Sequence, residues 1–600
     1  MFQTFDDTAS PEQGPPRLAE LRTEMAKDGL SGFMIPRADA HQGEYVAACD
    51  ERLAYLTGFT GSAGFCIALA DIAGVFIDGR YTVQVKMQVD TDHFTPVDWP
   101  ATLPAGWLRA QLPDGGTVGY DPLHYTPSQI KTIEKGLEGS AISLKAHENL
   151  IDRIWADQPA PPQGSVSVYP DELAGDPHTD KRARLADDLK TAGHESAVLS
   201  LPDSIAWLLN IRGRDIPRNP VAHAFAILHD TGHLTLFIDD EKLDDAVKAH
   251  LGANITIRPP HAFGPALRSL TGPVRVDDTS APLWVVQQLE ASDVPYVFAQ
   301  DPCVLPKARK TSAEIQATRT AHLRDAVAMC QFLHWYDQQA PGTITEIDVV
   351  TKVESYRSAS GKLLDISFDT IAGTGPHGAM SHYRVSHSSN RTLQDGELLV
   401  LDGGGQYLDG TTDITRTLPV GDIGDDEKQA YTRVLQGMIA ISRLRWPAGL
   451  AGRDLDAIAR YPLWLADQDY NHGTGHGVGV HLCVHEGPQR LSKISHVPFE
   501  PGMIVSNEPG YYREGAFGIR IENLVVVTPA DTLPGGDQSN KLCFETLNFV
   551  PINTRLINVY MLSQPERDWL NTYHQTCRDK ITPLLDKETA RWLEQATQPV

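Results

Sequence analysis

The stretch LDGGGQYLDGTTDITRT, residues 401–417, joins two strand-like patterns through a glycine-rich segment. Asp402 ends the apolar run ELLVLD, and Asp413 begins an alternation with Thr415 and Thr417 that is typical of a strand. A tight glycine-rich turn would pair the two strands as a hairpin and bring both carboxylates together. The stretch therefore predicts a β-hairpin that carries two neighbouring acids.

Four other segments of the same region also place acids or histidines beside glycines: GPHGAMSHY (375–383), NHGTGHGVGVHLCVHEGP (471–488), SNEPGYY (506–512) and GIRIEN (518–523). Glu508 follows the apolar strand MIVSNE, and we expect Glu522 to lie inside the apolar strand GIRIENLVVV. A lone Asp beside glycine usually caps a turn, but acids in apolar strands need a partner. The whole set, and not one residue of it, indicates a functional site.

The partner of these acids is open to two interpretations. Glu522 could be a core acid paired with Arg520, although residues two apart on a strand share a face, so Arg520 could equally support a neighbouring ligand. Four converging carboxylates without cations would repel one another and take up protons, whereas two divalent cations would neutralise them. A metal site with one imidazole ligand is therefore the prediction.

Histidines are dense in the segment 471–488, where His472, His476, His481 and His485 lie within fourteen positions. The intervening GTG and GVG permit close backbone approach, which favours a site lining over a packed helix face. Spacing alone does not choose the ligand among these histidines.

Composition excludes several classes of function. The formal charge of −25, without a Lys/Arg-rich run, argues against nucleic acid as a partner. The seven scattered cysteines contain no C-x-x-C pair, so reduced thiols are expected. The N-terminus lacks the pattern of a signal peptide, and no apolar run approaches the ~18 residues of a membrane helix, which predicts a cytoplasmic protein without a membrane segment.

An internal repeat divides the N-terminal half. RLAELRTEMAKDGLSGFMIP (17–36) is similar to RLADDLKTAGHESAVLSLP (184–202), and each pattern predicts an amphipathic helix followed by a short strand. We therefore expect two copies of one α/β module, separated by the proline-rich segment PAPPQG at 159–164.

The rest of the chain predicts an α+β domain. Thr311 and Glu314 form a capping-box pattern that opens a helix to about Gln338, and short strands follow from Leu363, interrupted by helical stretches. The last segment begins as a strand and ends in helices, which predicts a packed extension. The expected domains are 1–160 and 165–308 for the two α/β modules, 309–540 for the α+β domain and 541–600 for the extension.

All five glycine-rich segments resemble the pita-bread metallopeptidases, the superfamily of methionine aminopeptidase, prolidase, aminopeptidase P and creatinase. DAHQGEY (39–45), GFTGSAG (58–64), DGRY (78–81) and the terminal LCFETLNFVPI and WLNTYHQTCRD are similar to the three-domain cytosolic Xaa-Pro aminopeptidases. The resemblance covers nearly the whole chain. It implies two creatinase-N-like modules followed by a pita-bread catalytic domain.

The resemblance also implies a role for each site residue. Asp402 would hold one metal ion, Asp413 and Glu522 would bridge both, and His476 and Glu508 would complete the second. His382, His472 and His485 match the family's substrate-handling histidines, and Glu508 would help to move a proton to the leaving nitrogen. Arg520 would support the ligands.

The resemblance implies metal-dependent removal of an N-terminal residue that precedes proline, through attack of a metal-bridging hydroxide. A site rich in carboxylates suits manganese, although zinc, cobalt or iron could bind. The family also implies a homodimer. Three alternatives stay open: a prolidase restricted to Xaa-Pro dipeptides, a non-catalytic binding protein, and a metal-free hydrolase of the creatinase type.

Overall fold

The computed structural model describes residues 1–537 and 540–600. The chain forms two compact units: Thr8–Lys307, and Met1–Asp7 together with Ala308–Val600. Within the described ranges, the helices are all too short or too polar to cross a bilayer.

The first module of the Thr8–Lys307 unit is a six-stranded α/β sheet of order β4-β3-β2-β1-β5-β6. Its strands are β1 (Gly32–Pro36), β2 (Phe65–Leu69), β3 (Ala73–Ile77), β4 (Thr95–Asp98), β5 (Gly116–Tyr120) and β6 (Ile142–Ala146). Its helices are α1 (Gly14–Lys27), α2 (Arg52–Thr57), α3 (Gln84–Gln88), α4 (Pro104–Gln111), α5 (Pro127–Leu137) and α6 (Leu150–Ile154). Strand β1 pairs antiparallel with β2 and parallel with β5, and both of its faces are buried.

The second module repeats this arrangement. Its strands are β7 (Ser167–Val168), β8 (Ser196–Leu199), β9 (Ile211–Arg212), β10 (Phe225–His229), β11 (Leu234–Phe237), β12 (Ile255–Arg258), β13 (Val274–Val276) and β14 (Tyr296–Phe298). Its helices are α7 (Asp171–Ala174), α8 (His178–Ala192), α9 (Pro202–Leu209), α10 (Asp245–Leu251), α11 (Phe263–Arg268) and α12 (Leu283–Glu290), and α13 (Val304–Ala308) follows. The main sheet has the order β12-β11-β10-β8-β13-β14, which matches the first sheet strand for strand and confirms the predicted duplication.

The C-terminal unit begins with a long helix whose start the sequence predicts. Thr311 and Glu314 form the expected capping box, and the helix ends at Tyr336. The helices of the unit are α14 (Ser312–Tyr336), α15 (Glu346–Ala359), α16 (Asp425–Ser442), α17 (Gly452–Trp464), α18 (Gln564–Ile581) and α19 (Lys587–Ala596).

The strands of this unit are antiparallel. They are β15 (Asp365–Ile366), β16 (Ile371–Thr374), β17 (Glu397–Gly403), β18 (Gly405–Tyr407), β19 (Gly410–Thr411), β20 (Ile414–Val420), β21 (Arg445–Pro447), β22 (Gly475–Gly477), β23 (Glu486–Leu491), β24 (Ile504–Asn507), β25 (Gly510–Arg513), β26 (Phe517–Arg520), β27 (Asn523–Pro529) and β28 (Lys541–Thr546). The two sheets that matter for the site have the orders β16-β17-β20 and β21-β28-β27-β24-β22-β23.

Both ends of the chain are part of the C-terminal unit. Strand β28 lies between β21 and β27, and Leu570, Cys577 and Leu593 of the last two helices belong to the main hydrophobic core. Phe5 joins the same core, and the Gln3 side chain donates to the carbonyl of Thr370 at 3.3 Å. Residues Met1–Asp7, which the sequence analysis counted with the first module, therefore pack here.

The predicted tight turn between Asp402 and Asp413 is wrong. Strands β17 and β20 do pair, with Asp402 opposite Thr415, but the chain between them forms the second hairpin β18–β19, which pairs with β15. Gly404 allows this connection because a Cβ there would lie 1.7 Å from the carbonyl oxygen of Thr412. The two acids are nevertheless brought to the same end of the β17–β20 pair.

The predicted continuous strand around Glu522 is also wrong. The strand is interrupted at 521–522, where the chain leaves the β25–β26 ribbon and enters the six-stranded sheet. The amide of Glu522 donates to the carbonyl of Thr415 at 3.1 Å, so this residue links the two sheets instead of continuing either strand.

Candidate metal centre

The predicted acids come from two sheets and meet between them. Asp402 lies on β17, and Asp413 immediately precedes β20. From the six-stranded sheet, His476 lies on β22, Glu508 directly follows β24 and Glu522 directly precedes β27. Each acid lies at a strand end or interruption, where its side chain is not part of the regular alternation.

His476 occupies the middle of the cluster. Its Nε2 is 3.5 Å from Asp413 Oδ2 and 3.5 Å from Glu508 Oε1, while its Nδ1 donates to the carbonyl of Gly477 at 2.8 Å. Potential donor atoms of Asp413, His476 and Glu522 lie within 4.8 Å of one another. The structure thus brings two carboxylates and one imidazole, all side chains of the metal-ligand type, to one place.

Strand β22 reaches this position because it begins with glycine. A Cβ on Gly475 would lie 1.9 Å from the carbonyl oxygen of Ser506. Any other residue would push β22, and His476 with it, away from β24. The second glycine of GTG, Gly475, is therefore required for β22 to pack against β24.

Three carboxylate oxygens in the cluster are buried and have no hydrogen-bond partner among the described residues: Asp402 Oδ1, Asp413 Oδ1 and Glu522 Oε1. A buried charged oxygen without a partner is costly, and such atoms are rare in folded proteins. Their concentration around one imidazole is the donor set that divalent cations such as manganese or zinc accept. The residues present thus fit a metal centre.

The protonation equilibria show the same mutual repulsion. Burial, together with Asp413 and Glu508, raises the pKa of Asp402 to about 6, although Arg520 opposes the shift. Burial also raises the pKa of Glu508 and, far more, that of Glu522, where the neighbouring acids add to the effect. Burial alone would lower the pKa of His476, but Asp413 and Glu508 outweigh it and raise the pKa to about 9.

Arg520 connects the acids to a tyrosine and a histidine. Its Nη2 donates to Asp402 Oδ2 at 2.6 Å, and its Nη1 donates to the Tyr512 hydroxyl at 2.5 Å. The Tyr512 hydroxyl in turn lies 3.0 Å from His472 Nε2. His472 Nδ1 donates to the carbonyl of Gly473 at 2.7 Å, so Nε2 of the neutral ring accepts a hydrogen bond from the Tyr512 hydroxyl. Burial raises the pKa of Tyr512 to about 12. Arg520 therefore pairs with Asp402 and not with Glu522.

The structure places His485 against His476, whereas His382 and His481 lie in local surroundings of their own. The ring of His485 lies 4.4 Å from that of His476, edge to face. His382 is half-buried in the turn after the short 3₁₀ helix Gly375–Ala379, which packs against β17 and β26. His481 adopts a left-handed backbone conformation with φ of 49° beside the site-lining segment.

Two residues of the site were missed by sequence reasoning. Thr415 donates to Glu522 Oε2 at 2.7 Å, and Tyr512 bridges Arg520 and His472. Thr415 belongs to the Asp413 alternation, in which every second residue faces the same side, and this was the available signal. Nothing in the pattern of SNEPGYY distinguishes Tyr512 from Tyr511.

Known proteins share both the fold and these segments. The model of metallopeptidase family M24 matches residues 316–529, and that of the C-terminal region of this peptidase family matches 540–600. Two matches to the creatinase/prolidase N-terminal domain cover residues 17–154 and 157–314. A probable Xaa-Pro aminopeptidase P of Talaromyces marneffei is 37% identical over 97% of this chain and 92% of its own length. The chain is a member of metallopeptidase family M24.

Two further relatives are similar to this M24 chain over nearly its whole length. Aminopeptidase P2 of Arabidopsis thaliana is 36% identical over 95% of this chain and 86% of its own length. The crystal structure of X-prolyl aminopeptidase from Caenorhabditis elegans, described as a cytosolic enzyme with a di-nuclear active site, superposes with a TM-score of 0.92 at 30% identity, covering 98% and 100% of the two chains. These similarities place the chain among the aminopeptidases of the family and confirm two creatinase-N-like modules followed by a pita-bread catalytic domain.

Proposed function

We propose that this M24 chain removes the N-terminal residue from peptides with proline in second position, using two divalent metal ions. The observation that carries the proposal is the group of three carboxylate oxygens in the His476 cluster that are buried and have no hydrogen-bond partner within 1–537 and 540–600. The named relatives and the C. elegans structure support the substrate class.

The residues that would hold the two ions are Asp402, Asp413, His476, Glu508 and Glu522. By the family resemblance, Asp413 and Glu522 would be shared by the two ions, and each has one buried oxygen without a hydrogen-bond partner among the described residues. Asp402 would complete one ion, and His476 and Glu508 the other, as their 3.5 Å separation supports. When bound, such ions activate a water molecule and polarise the scissile carbonyl.

Manganese is the proposed metal, because four carboxylates and one imidazole form an oxygen-rich set without thiolate. The half-buried Cys483 is close in sequence, but none of the five proposed ligands is a sulfur atom. We expect metal-depleted protein saturated with Mn²⁺ to be more active than the same protein saturated with Zn²⁺ or Co²⁺, and higher activity with Zn²⁺ would contradict the proposal.

Residues of the protein would orient the metal-binding side chains and transfer a proton to the leaving nitrogen. Arg520 holds Asp402 in place, and through Tyr512 it fixes the ring of His472. His485, packed edge to face on His476, would stabilise the oxyanion of the attacked carbonyl together with His382. Glu508, whose pKa is raised by burial, would accept a proton and pass it to the proline nitrogen.

The length of the substrate separates this proposal from a prolidase. Turnover of an Xaa-Pro dipeptide is compared with that of an Xaa-Pro tripeptide of the same first residue. We expect the tripeptide to be cleaved at the Xaa-Pro bond with the higher kcat/KM. Cleavage of the dipeptide alone would identify a prolidase instead.

We also propose that the chain is a homodimer. Four large apolar side chains at the end of α17 and the neighbouring loop are strongly exposed: Tyr461 (60%), Trp464 (43%), Leu465 (72%) and Ile494 (76%). Lys493, next to Ile494, lies over the Trp464 ring at 5.8 Å, so these side chains form one patch. Such a patch on a soluble protein marks an association surface, and a two-fold axis would let it meet its own copy.

A cytosolic location is proposed as well. All seven cysteines are free thiols in the structure, as expected for a reducing compartment. The C. elegans relative is described as cytosolic. Fractionation of the producing cells should recover the protein with cytosolic markers, and recovery with secreted or membrane fractions would contradict this.

A further inference from the structure

A second cluster of metal-ligand type lies in the Thr8–Lys307 unit. It consists of Asp39, the first residue of the DAHQGEY segment, with Asp50 and His223. One donor atom from each lies within 4.8 Å of the other two. The proposed aminopeptidase activity does not use any of these three residues.

The three side chains are held in place from different elements. Asp39 follows β1 of the first module, and Asp50 ends the 3₁₀ helix Ala48–Asp50 of that module. His223 precedes β10 of the second module. An ion bound by all three would therefore connect the two modules.

Both acids accept hydrogen bonds from protein groups, and Asp39 directs its second oxygen toward His223. Asp39 Oδ1 accepts the amides of His41 at 2.9 Å and Gly43 at 3.1 Å, while its Oδ2 lies 3.3 Å from His223 Nε2. Asp50 Oδ1 accepts from Arg52 at 2.8 Å, and its Oδ2 accepts from a weak donor, the Cys49 thiol, at 3.4 Å. Carboxylates that bind metal ions are likewise held in place by hydrogen bonds from neighbouring protein groups.

The ring of His223 is also fixed by packing. The His41 ring lies 4.5 Å from it and also stacks on Phe225 at 4.4 Å. His41 Nδ1 donates to the carbonyl of Ser200 at 2.9 Å, which locks the stack. His223 thus presents Nε2 to the two acids with little freedom to turn away.

The distance between Asp39 and His223 is long for an ion pair. Charge-assisted hydrogen bonds are usually about 2.7–2.9 Å long. Two ligand atoms on one tetrahedral ion, each bonded at about 2.0–2.2 Å, lie about 3.3–3.6 Å apart. The 3.3 Å separation matches shared coordination better than a direct hydrogen bond.

We propose that Asp39, Asp50 and His223 bind a structural divalent cation of the zinc class, which joins the two N-terminal modules. Two carboxylates and one imidazole are suitable ligands for Zn²⁺, and solvent at the half-buried rim of Asp50 and His223 would fill its remaining positions. The ion would be separate from those of the catalytic centre.

The test counts metal in the full-length protein. Wild-type and variant chains are saturated with Zn²⁺, dialysed against metal-free buffer and analysed for zinc per chain. We expect His223→Gln and Asp50→Asn each to hold one ion fewer than the wild type. His233→Gln, a half-buried histidine beyond the far end of β10, is the matched control and should keep the wild-type count.

Equal zinc content in wild type, His223→Gln and Asp50→Asn would overturn the proposal. The contact between Asp39 and His223 would then be an ion pair without a metal ion. Asp50 is half-buried at the rim, so Asp50→Asn should fold. Its zinc content tests the proposal if the His223 variant does not fold. The measurement compares the zinc content of variants whose catalytic residues are unchanged. Its outcome therefore does not depend on whether the proposed peptidase activity is correct.

Discussion

Arg520 shows how the centre depends on a residue that would bind no metal itself. Its guanidinium contacts Asp402, Tyr512 and the hydroxyl of Thr415 from a fully buried position. These contacts need the planar fork of arginine, since a lysine carries the same charge but reaches one partner at a time.

We therefore expect Arg520→Lys to lower kcat and metal affinity about 10–100-fold each. Losses of this size are usual when a contact that orients a metal-binding side chain is removed. Turnover of an Xaa-Pro peptide and metal titration of the purified protein measure the two effects. Arg513→Lys, on the paired strand β25 with an ion pair to the exposed Asp426, is the control and should keep wild-type activity. Full activity in Arg520→Lys would contradict the proposed role.

The raised pKa values of the acids predict a pH-dependent response to metal removal. The pKa of Asp402 is raised from 3.8 to about 6, so its protonation stabilises the metal-free fold below about pH 4, and that contribution is lost as the pH rises through 6. Glu508 and Glu522 act in the same direction, and His476 loses its stabilising proton as the pH rises toward 9.

Metal ions replace these protons, so their stabilising effect should grow with pH. We expect the increase in Tm on adding Mn²⁺ to metal-depleted protein to be larger at about pH 7.5 than at about pH 5. Differential scanning calorimetry at both pH values measures it. Asp402→Asn should show a weaker pH dependence, and an equal increase at both pH values in the wild type would contradict the account.

At the scale of elements, Glu346 ties helix α15 to the segment that carries His382. The carboxylate is fully buried at the start of the helix and accepts from the Thr374 amide at 2.9 Å, His377 Nδ1 at 3.0 Å and the Tyr383 hydroxyl at 3.0 Å. These partners lie on both sides of the turn that contains His382. The position of His382 thus depends on one acid outside the metal centre.

Glu346→Gln is expected to lower kcat about tenfold and to reduce the free energy of unfolding by about 1.5–3 kcal/mol, the usual cost of losing hydrogen bonds to a charged group. Glu354→Gln is a matched control, because Glu354 is buried on the same helix but accepts from the amides of Phe2 and Gln3. Steady-state kinetics and urea unfolding compare the two variants. Equal losses of kcat in both would show that Glu346 has no specific effect on His382.

The elements were predicted from sequence where the signal is local. The Thr311/Glu314 capping box and the repeated helix-strand pattern depend on neighbouring residues, and the structure has both. The connection from Asp402 to Asp413 and the interruption before Asn523 depend on pairing between distant strands, which no local pattern contains. The resemblance could name the site residues, but the contacts of Thr415 and Tyr512 required the fold.

At the scale of the whole molecule, the exposed patch on α17 leads to a prediction about assembly. Leu465→Asp should place a charge in the dimer interface and shift the protein to monomer, as analytical ultracentrifugation measures. Tyr560→Asp changes a strongly exposed aromatic residue of a different element, the 3₁₀ helix Val559–Met561, and should leave the dimer intact. A monomeric wild type, or a Leu465→Asp protein that stays dimeric, would contradict the proposed homodimer.

The central claim is that the five clustered side chains hold two catalytic metal ions. Its most direct test measures metal content and peptide cleavage together for wild type and for Asp413→Asn, with Asp422→Asn, an exposed acid, as the control. The wild type and the control should release the residue before proline, and Asp413→Asn should hold two metal ions fewer per chain and lose at least about 100-fold in kcat. Undiminished metal content and full turnover in Asp413→Asn would contradict the account.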